Sequence, residues 1–311
     1  MNGEWAMSIK EYLRYATDIL KSANIETPVL EAGVVLCHVL KCGRAYLYSH
    51  DDRELDKVEL EALDYMLEQR ANNVPTAYLV GETEFMSLPF VVSPAVLIPR
   101  QDTEILVEKC IELVNAMSIS QQMKEADENA DDNTARSKVN VLDMCTGSGC
   151  IAISLAHYCL EIKVVACDVS RDALCIAKVN SERNGVQNRL ELCWGNLFEA
   201  LNGEQRFDII VSNPPYIETK TMPELQKEVR NHEPVLALDG GEDGLDFYRK
   251  IIAIAPRYLI NGGYLAFEIG YNQGQSVKVL MQQGFHDIET YKDFSGNDRV
   301  VIGRLSVVPQ L

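Results

Sequence analysis

The pattern of apolar and polar positions divides the chain into regions of different texture. Across residues 8–71, apolar side chains such as Ile9, Tyr12 and Leu13 recur every three or four positions, which predicts amphipathic helices and little strand. Between Ala77 and Ile98 the apolar segments become short and are interrupted by glycine and proline, which favours a β-hairpin.

From Val139 onward, short apolar runs alternate with helical patterns. Such alternation is typical of a mostly parallel sheet covered by helices on both faces. The final two runs are joined by a short polar link, which favours an antiparallel pair. The predicted strands are Val139–Met144, Lys163–Cys167, Arg189–Trp194, Phe207–Ser212, Tyr264–Ile269, His286–Tyr291 and Arg299–Leu305. The predicted helices between them include Ile151–Tyr158, Arg171–Asn184 and Gly244–Leu259.

These textures predict a helical domain over residues 1–75, a β-hairpin connector over 76–98 and an α/β domain over 99–311. Asp102 or Thr103 is expected to cap the first helix of the α/β domain, because both types accept hydrogen bonds from free helix N–H groups. The polar, acidic run 118–138 is expected to be a flexible solvated loop.

Composition narrows the class of protein. The chain has 311 residues, 47% of them hydrophobic, which is enough for a sizeable core. It contains no apolar run long enough for a membrane span and no signal-peptide pattern at its start. The nine cysteines have no metal-ligand spacing and mostly lie in apolar runs, so we expect reduced thiols, no metal and a cytoplasmic location.

A net charge of −17 bears on the choice of partner. Proteins that bind nucleic acid mainly through phosphates need a basic surface, so the charge counts against DNA or RNA as the primary ligand. A basic protein partner is easier to reconcile with it.

A glycine loop follows the first strand of the α/β region. The segment 141–150 reads as strand, tight turn and helix start, with Gly147 and Gly149 allowing backbone to approach a ligand closely. The dinucleotide-binding pattern G-x-G-x-x-G is not matched, because Cys145 stands where its first glycine would be.

Two polar residues follow the next strands. Asp168, at the end of the second strand, can accept hydrogen bonds from ribose hydroxyls, or can serve as a turn or helix-capping carboxylate. Asn196, after the third strand, can contact an adenine edge or can be an ordinary turn residue.

The tetrapeptide Asn213-Pro214-Pro215-Tyr216 comes directly after the predicted strand Phe207–Ser212, where open α/β sheets bind ligands. Neither proline has an N–H, and both have a fixed φ, so the backbone carbonyls are rigidly aimed. With the Asn213 amide and the Tyr216 ring, the segment is suited to hold a planar NH₂ group. A rigid turn is the alternative interpretation.

Together these motifs resemble the bacterial peptide chain release factor glutamine methyltransferases, the PrmC/HemK family. The resemblance covers nearly the whole chain and includes Leu97-Ile98-Pro99-Arg100, the glycine loop, the tetrapeptide, Phe267-Glu268-Ile269-Gly270 and Asn297-Asp298-Arg299. It implies a class I S-adenosylmethionine-dependent methyltransferase domain (Rossmann-like, with a mostly parallel seven-stranded sheet and an antiparallel C-terminal strand) behind a helical N-terminal domain. The implied substrate is the glutamine of the Gly-Gly-Gln motif in release factors, methylated on its side-chain amide nitrogen.

The resemblance also implies roles for individual residues. The helical domain would recognise the substrate, and Asn213, Pro214 and Tyr216 would be catalytic. S-adenosylmethionine, with S-adenosyl-L-homocysteine as product, would be bound by Asp143, Cys145, Thr146, Gly147, Ser148, Gly149, Asp168, Asn196, Leu197 and Asn213. The substrate would be bound by Asn213, Pro214, Pro215, Tyr216, Arg100 and Glu268, with no metal ion. The alternative interpretations are a turn cap for Glu268 and a surface ion pair for Arg100.

Some residues depart from the family pattern. The family usually has glycine where Cys145 stands, proline where Gln101 stands and an acidic residue where Asn196 stands. The first departure bears on the cofactor loop, and the last weakens the adenine assignment.

The expected chemistry is orientation of a weak amide nucleophile toward an activated methyl group. The Asn213 side-chain oxygen and the Pro214 carbonyl would accept the two amide N–H bonds, while Tyr216 packs against the amide plane. No general base is required, because the proton can leave after transfer.

Two other classes of function remain open. A nucleic-acid adenine or cytosine amino-methyltransferase uses the same tetrapeptide on a flipped base, but predicts a basic surface. A non-catalytic binding module predicts decayed motifs, whereas Asp168 and the tetrapeptide are present.

Overall fold

The computed structural model describes residues 7–125 and 138–306 and contains two compact units. The first comprises the chain through Glu82 together with Gln226–His232, and the second comprises Thr83–Leu225 and the chain from Glu233. Among the described residues, no helix is long and apolar enough to cross a membrane.

The first unit is mainly helical. Its core contains fully buried apolar side chains such as Ile9, Leu36 and Leu63. Reciprocal capping boxes, formed by Ser8 with Glu11 and by Asp56 with Glu59, satisfy free N–H groups at two helix starts. Its elements up to residue 80 are β1 (Met7–Ser8), α1 (Ile9–Ser22), α2 (Pro28–Leu40), α3 (Arg44–Ser49), β2 (Glu54–Leu55), α4 (Lys57–Ala71) and α5 (Thr76–Val80).

Two short strands, β3 (Glu82–Phe85) and β4 (Leu88–Val91), pair with each other inside the range predicted as a hairpin connector, whereas residues 76–80 of that range form helix α5. The elements that follow are α6 (Gln101–Glu125), β5 (Val139–Met144), α7 (Cys150–Tyr158), β6 (Ile162–Asp168), α8 (Arg171–Arg183), β7 (Leu190–Trp194), β8 (Phe207–Ser212), α9 (Lys227–His232), α10 (Asp246–Ile254), β9 (Leu259–Glu268), α11 (Gly274–Met281), β10 (Phe285–Lys292) and β11 (Asp298–Leu305). Of these, α9 belongs to the first unit.

The second unit is built on a seven-stranded sheet with the order β10-β11-β9-β8-β5-β6-β7. Only β11 runs against its neighbours, β9 and β10; the remaining pairings are parallel. Alternate residues of β5 enter two apolar cores, Val139 and Val141 on one face and Leu142 and Met144 on the other. The predicted fold class is therefore confirmed.

Both predictions made for the ends of the first α/β helix are corrected. Helix α6 begins at Gln101, so Asp102 and Thr103 lie inside its first turn and are not N-caps. At its other end, residues 118–125 are helical and not loop. Buried Val114 lies one turn before this segment, and the Ser118 hydroxyl donates back to the Val114 carbonyl at 3.0 Å, so the helix continues past its apolar face. Residues 126–137 of the predicted flexible loop lie outside the described residues.

Candidate active site

The carboxyl ends of the central parallel strands open onto one pocket in the second unit. Of the residues predicted for the site, those that line this pocket are Arg100, Cys145, Thr146, Gly147, Ser148, Asp168, Asn196, Leu197, Asn213 and Pro215. The other predicted residues lie behind the lining and are Asp143, Gly149, Pro214, Tyr216 and Glu268.

The glycine loop between β5 and α7 is shaped by left-handed backbone conformations. Gly147 and Gly149 have φ of +55° and +81°, and Cys145, where the family pattern has glycine, has φ of +64°. The loop is fixed to β6 because the Thr146 N–H donates to the Cys167 carbonyl at 3.0 Å. Cys145 therefore adopts the conformation that the family's usual glycine would favour.

Asp143 supports this loop from inside the sheet. Its Oδ2 accepts hydrogen bonds from the Thr146 hydroxyl at 2.6 Å and the Ala152 N–H at 3.2 Å. The side chain is fully buried, and burial raises the pKa of this carboxyl to about 7 against the lowering effect of those two bonds. Asp143 thus holds the glycine loop in place and does not reach the pocket.

Asp168 lies at the end of β6 with each carboxylate oxygen bound to one backbone N–H. Oδ2 accepts from Gly147 at 2.8 Å and Oδ1 accepts from Ser170 at 2.8 Å. Helix α8 is capped by Ser170, so the prediction that Asp168 could be a helix cap is wrong. The alternative role as a turn carboxylate agrees with the bond from the Ser170 N–H. Each oxygen keeps lone-pair capacity toward the pocket, and burial raises the pKa of the group.

Asn196 and Leu197 follow β7 and form the side of the pocket beyond Asp168. The Asn196 side chain does not cap the short 3₁₀ turn that it precedes. Its amide therefore remains compatible with the predicted ligand contact, which stays a prediction.

The tetrapeptide begins where β8 ends, at Ser212. The Asn213 side-chain nitrogen donates to the Thr103 hydroxyl oxygen at 3.3 Å. Both residues line the pocket, and this bond directs the other end of the amide, Oδ1, away from Thr103. Asn213 is thereby presented as a hydrogen-bond acceptor.

Tyr216 is held at two of its atoms. Its hydroxyl donates to Glu268 Oε1 at 3.4 Å, and its backbone carbonyl accepts from Gln273 Nε2 at 3.0 Å. Burial raises the pKa of this phenol, so it is a protonated donor at neutral pH. Because Tyr216 lies behind the pocket lining, its expected packing against a substrate amide stays a prediction.

Glu268 and Arg100, both predicted to bind substrate, have different surroundings. Glu268, at the end of β9, is 2% exposed and does not line the pocket. Arg100 does line it and forms an ion pair with Glu233, whose side chain is buried. Arg100 therefore reaches the site with its charge already paired.

Sequence reasoning missed several residues that build the site. Thr103 was interpreted only as a possible cap, and Gln273 and Arg299 were given no role.

The contacts of Gln273 and Arg299 show what they support. Gln273 joins the tetrapeptide to the turn at Gly244, whose carbonyl accepts from Nε2 at 3.2 Å. Arg299 pairs with Asp102 and Asp293 at 3.1 and 3.0 Å. Of these three residues, only Arg299 belongs to a motif of the family resemblance, the segment Asn297-Asp298-Arg299.

Comparison with known proteins places this arrangement among methyltransferases. A family model described as the PrmC N-terminal domain matches residues 11–81, and one described as the methyltransferase small domain matches residues 128–241. The chain is 41% identical over 299 residues to a release factor glutamine methyltransferase of Geobacter sulfurreducens, covering 96% of this chain and 97% of the relative. It is 37% identical over 298 residues to the protein of that name from Clostridium acetobutylicum, covering 95% and 98% respectively.

Among solved structures, the hMettl16 catalytic domain in complex with an RNA hairpin of the MAT2A 3′UTR superposes with a TM-score of 0.51 and 16% identity. The match covers 79% of this chain and 83% of that one. At this identity the likeness concerns the fold alone.

Proposed function

The chain belongs to the release factor glutamine methyltransferase family, and from this we propose that it methylates the glutamine of the Gly-Gly-Gln motif in peptide chain release factors. The methyl group comes from S-adenosylmethionine, and the acceptor is the side-chain amide nitrogen, N5. The Gly-Gly-Gln site follows from the family resemblance, and the pocket geometry supports the roles proposed for individual residues.

The residues present fit the proposed methyl donor. Asp168 offers carboxylate oxygens to ribose hydroxyls, and the loop Cys145–Ser148 forms a wall on which the methionine part can lie. At Gly147 the space beyond the backbone is open, so the loop leaves room for a ligand there. When bound, S-adenosylmethionine supplies an electrophilic methyl group and leaves as S-adenosyl-L-homocysteine.

The observation that carries the proposal is the state of Asn213. Its nitrogen is engaged by Thr103 beside the pocket, so its oxygen is free to accept an N–H from a substrate amide. A hydrogen bond at that oxygen stabilises the positive charge that develops on the amide nitrogen during transfer. The Pro214 carbonyl would accept the second N–H, in keeping with the rigid backbone of the two prolines.

The remaining contribution is orientation. The amide nitrogen is a poor nucleophile, and holding it in line with the reacting methyl group can supply roughly 7–11 kcal/mol of the barrier reduction. The proton leaves the nitrogen after transfer, so no side chain needs to act as a general base. The chain's charge of −17 favours encounter with a basic substrate protein.

The decisive test is mass spectrometry of a purified release factor after incubation with this protein and S-adenosylmethionine. A gain of one methyl group on the Gly-Gly-Gln glutamine supports the proposal. An unmodified release factor under conditions in which the cofactor binds would contradict it, and methylation of DNA or RNA instead would favour the nucleic-acid alternative.

Substitution of Asn213 by alanine tests the residue that carries the proposal. We expect Asn213→Ala to lower turnover by about 10²–10³-fold, as for other preorganised transition-state hydrogen bonds, with the cofactor Kd nearly unchanged. Initial rates with release factor and calorimetric titration with cofactor measure the two effects. Asn202→Ala, at an exposed asparagine outside the pocket, is the control. Wild-type turnover in Asn213→Ala would refute the assignment.

A further inference from the structure

A buried carboxylate lies directly behind the tetrapeptide. Glu268 is 2% exposed at the carboxyl end of β9, the strand that pairs with β8. A buried carboxylate is unfavourable unless hydrogen bonds or opposite charges compensate its lost solvation. The residues that compensate Glu268 are therefore informative about its use.

The first contact of Glu268 is with the end of the tetrapeptide. The Tyr216 hydroxyl donates to Oε1 at 3.4 Å. The backbone around this pair is fixed as well, since the Tyr248 hydroxyl donates to the Glu268 carbonyl at 2.9 Å. The carboxylate thus limits where the Tyr216 side chain can lie.

The second contact leads to the beginning of the tetrapeptide. The Thr103 hydroxyl lies beside Glu268 and lowers the pKa of its carboxyl. The same hydroxyl oxygen accepts the Asn213 amide N–H at 3.3 Å. Glu268 Oε2 is buried and has no hydrogen-bond partner within the described residues, so the rotatable Thr103 hydroxyl is the neighbouring donor that can satisfy it.

The chemistry of Thr103 gives its contacts with Asn213 and Glu268 a defined direction. An ionised carboxylate only accepts hydrogen bonds, so a Thr103 hydroxyl that rotates toward Oε2 donates its single proton to Glu268 and can then only accept from Asn213. Asn213 consequently turns its NH₂ group toward Thr103 and its oxygen toward the pocket. The charge on Glu268 therefore determines which end of the Asn213 amide a substrate meets.

We propose that Glu268 is a positioning residue that fixes both ends of the tetrapeptide, Asn213 through Thr103 and Tyr216 directly, so that Asn213 presents its oxygen to the substrate amide. Thr103 is the intermediate in this arrangement. The inference rests on the proposed function, because it concerns how the same site holds its glutamine substrate.

The charged and titratable groups around Glu268 define its pH dependence. Burial raises the pKa of Glu268 to about 7, while the neighbouring Thr103 hydroxyl, the Arg299 charge and the Tyr216 bond lower it and the Asp102 charge raises it. Cys150, on α7, and Tyr248, on α10, also face it, and its charge raises the pKa of both. Turnover should thus rise with pH through about 7 as Glu268 ionises.

The test compares turnover with release factor across pH 5.5–9 at saturating cofactor for wild type, Glu268→Gln, Thr103→Val and Thr103→Ser. Glutamine keeps the shape of Glu268 but cannot accept at both ends, and valine keeps the shape of Thr103 without the hydroxyl. We expect kcat to fall about 10–100-fold in both, because small misplacements of reacting groups have effects of this size. Cofactor Kd should stay within about threefold.

Two further results separate positioning from a general loss of structure. The acid limb of the wild-type kcat profile should be absent in Glu268→Gln, and Thr103→Ser should recover most of the turnover that Thr103→Val loses. Glu182→Gln, at an exposed carboxylate on α8, should keep the wild-type profile.

The outcomes also distinguish this inference from the proposed function. Wild-type kcat in Glu268→Gln or Thr103→Val, or an acid limb that persists in Glu268→Gln, overturns the inference while methylation by the wild type upholds the function. A wild-type enzyme that leaves the release factor unmodified overturns both.

Discussion

Gly147 and Gly149 lie two residues apart in the glycine loop, but a side chain would meet different surroundings at each. At Gly149 a Cβ would approach Ile153 Cδ1 to 2.8 Å and Ala177 Cβ to 3.2 Å, whereas at Gly147 it would meet nothing within 4 Å. Both have positive φ, which is unfavourable for any other residue. Packing and backbone conformation can therefore be separated experimentally.

We expect Gly149→Ala to lower the free energy of unfolding by about 2–4 kcal/mol, combining left-handed strain with overpacking. Gly147→Ala should lower it by only about 1–2 kcal/mol, the backbone contribution alone. Urea denaturation of the ligand-free variants measures both. Equal losses would show that the contacts of Gly149 relax without penalty.

Single residues in the site differ in how far the sequence reveals them. Asp168 and Asn213 were identified because each directly follows an apolar strand, where ligands bind in such sheets. Thr103 was not, because its role depends on α6 meeting a segment 110 residues later in the chain. Asp143 and Glu268 have the residue types of ligand-binding groups, but only the structure shows that they support the pocket from behind.

At the scale of elements, Asn180 on α8 joins three segments. It is fully buried, its nitrogen donates to the Val91 carbonyl at 3.0 Å and the Ser148 carbonyl at 2.9 Å, and its oxygen accepts the Val91 N–H at 2.6 Å. The hairpin strand β4, helix α8 and the cofactor loop are thereby connected through one side chain. The hairpin is thus part of the support of the site.

Asn180→Ala should lower the free energy of unfolding by about 2–3 kcal/mol, because it leaves buried backbone groups of β4 and the loop without partners. Asn184, one turn later on the chain, makes a surface bond to the Pro89 carbonyl at 3.0 Å and is the matched control. Asn184→Ala should change stability by less than about 1 kcal/mol. Similar losses in both variants would contradict the role assigned to Asn180.

Strands were predicted most accurately where an apolar run has polar or turn-forming residues at both ends. Val139–Met144 and Phe207–Ser212 match the observed β5 and β8 at both ends. The C-terminal part of α6 was not predicted as helix, because residues 118–125 are mostly polar and show no continuous apolar stripe. The antiparallel placement of β11 followed from the short link before it.

At the scale of the whole molecule, Arg70 connects distant parts of the helical unit. Its side chain is 4% exposed, and Nη2 contacts Glu31 at 3.2 Å and Glu228 of α9 at 2.8 Å, while Nε also binds Glu31. Thr76 donates a further hydrogen bond to Glu31. Nothing in the sequence pattern indicates that residues 226–232 group with the helical unit.

Arg70→Met should destabilise the helical unit by about 2–4 kcal/mol, because it leaves the partly buried carboxylates of Glu31 and Glu228 without their counterion. Hydrogen–deuterium exchange should accelerate in residues 9–71 and 227–232, with β5 and β8 of the second unit protected as before. Arg53→Met, which removes a more exposed ion pair with Glu59, is the control and should change exchange little. Unchanged exchange in α4 and α9 would disprove the prediction.

Three cysteines, Cys145, Cys150 and Cys167, line the pocket in which a methyl donor is proposed to bind. A thiolate is a far better nucleophile than an amide, so an ionised cysteine beside a sulfonium ion would be alkylated in place of the substrate. Burial raises the pKa of all three thiols, that of Cys150 to about 12, and keeps them protonated at neutral pH. These raised pKa values would therefore also limit alkylation of the protein by its own methyl donor.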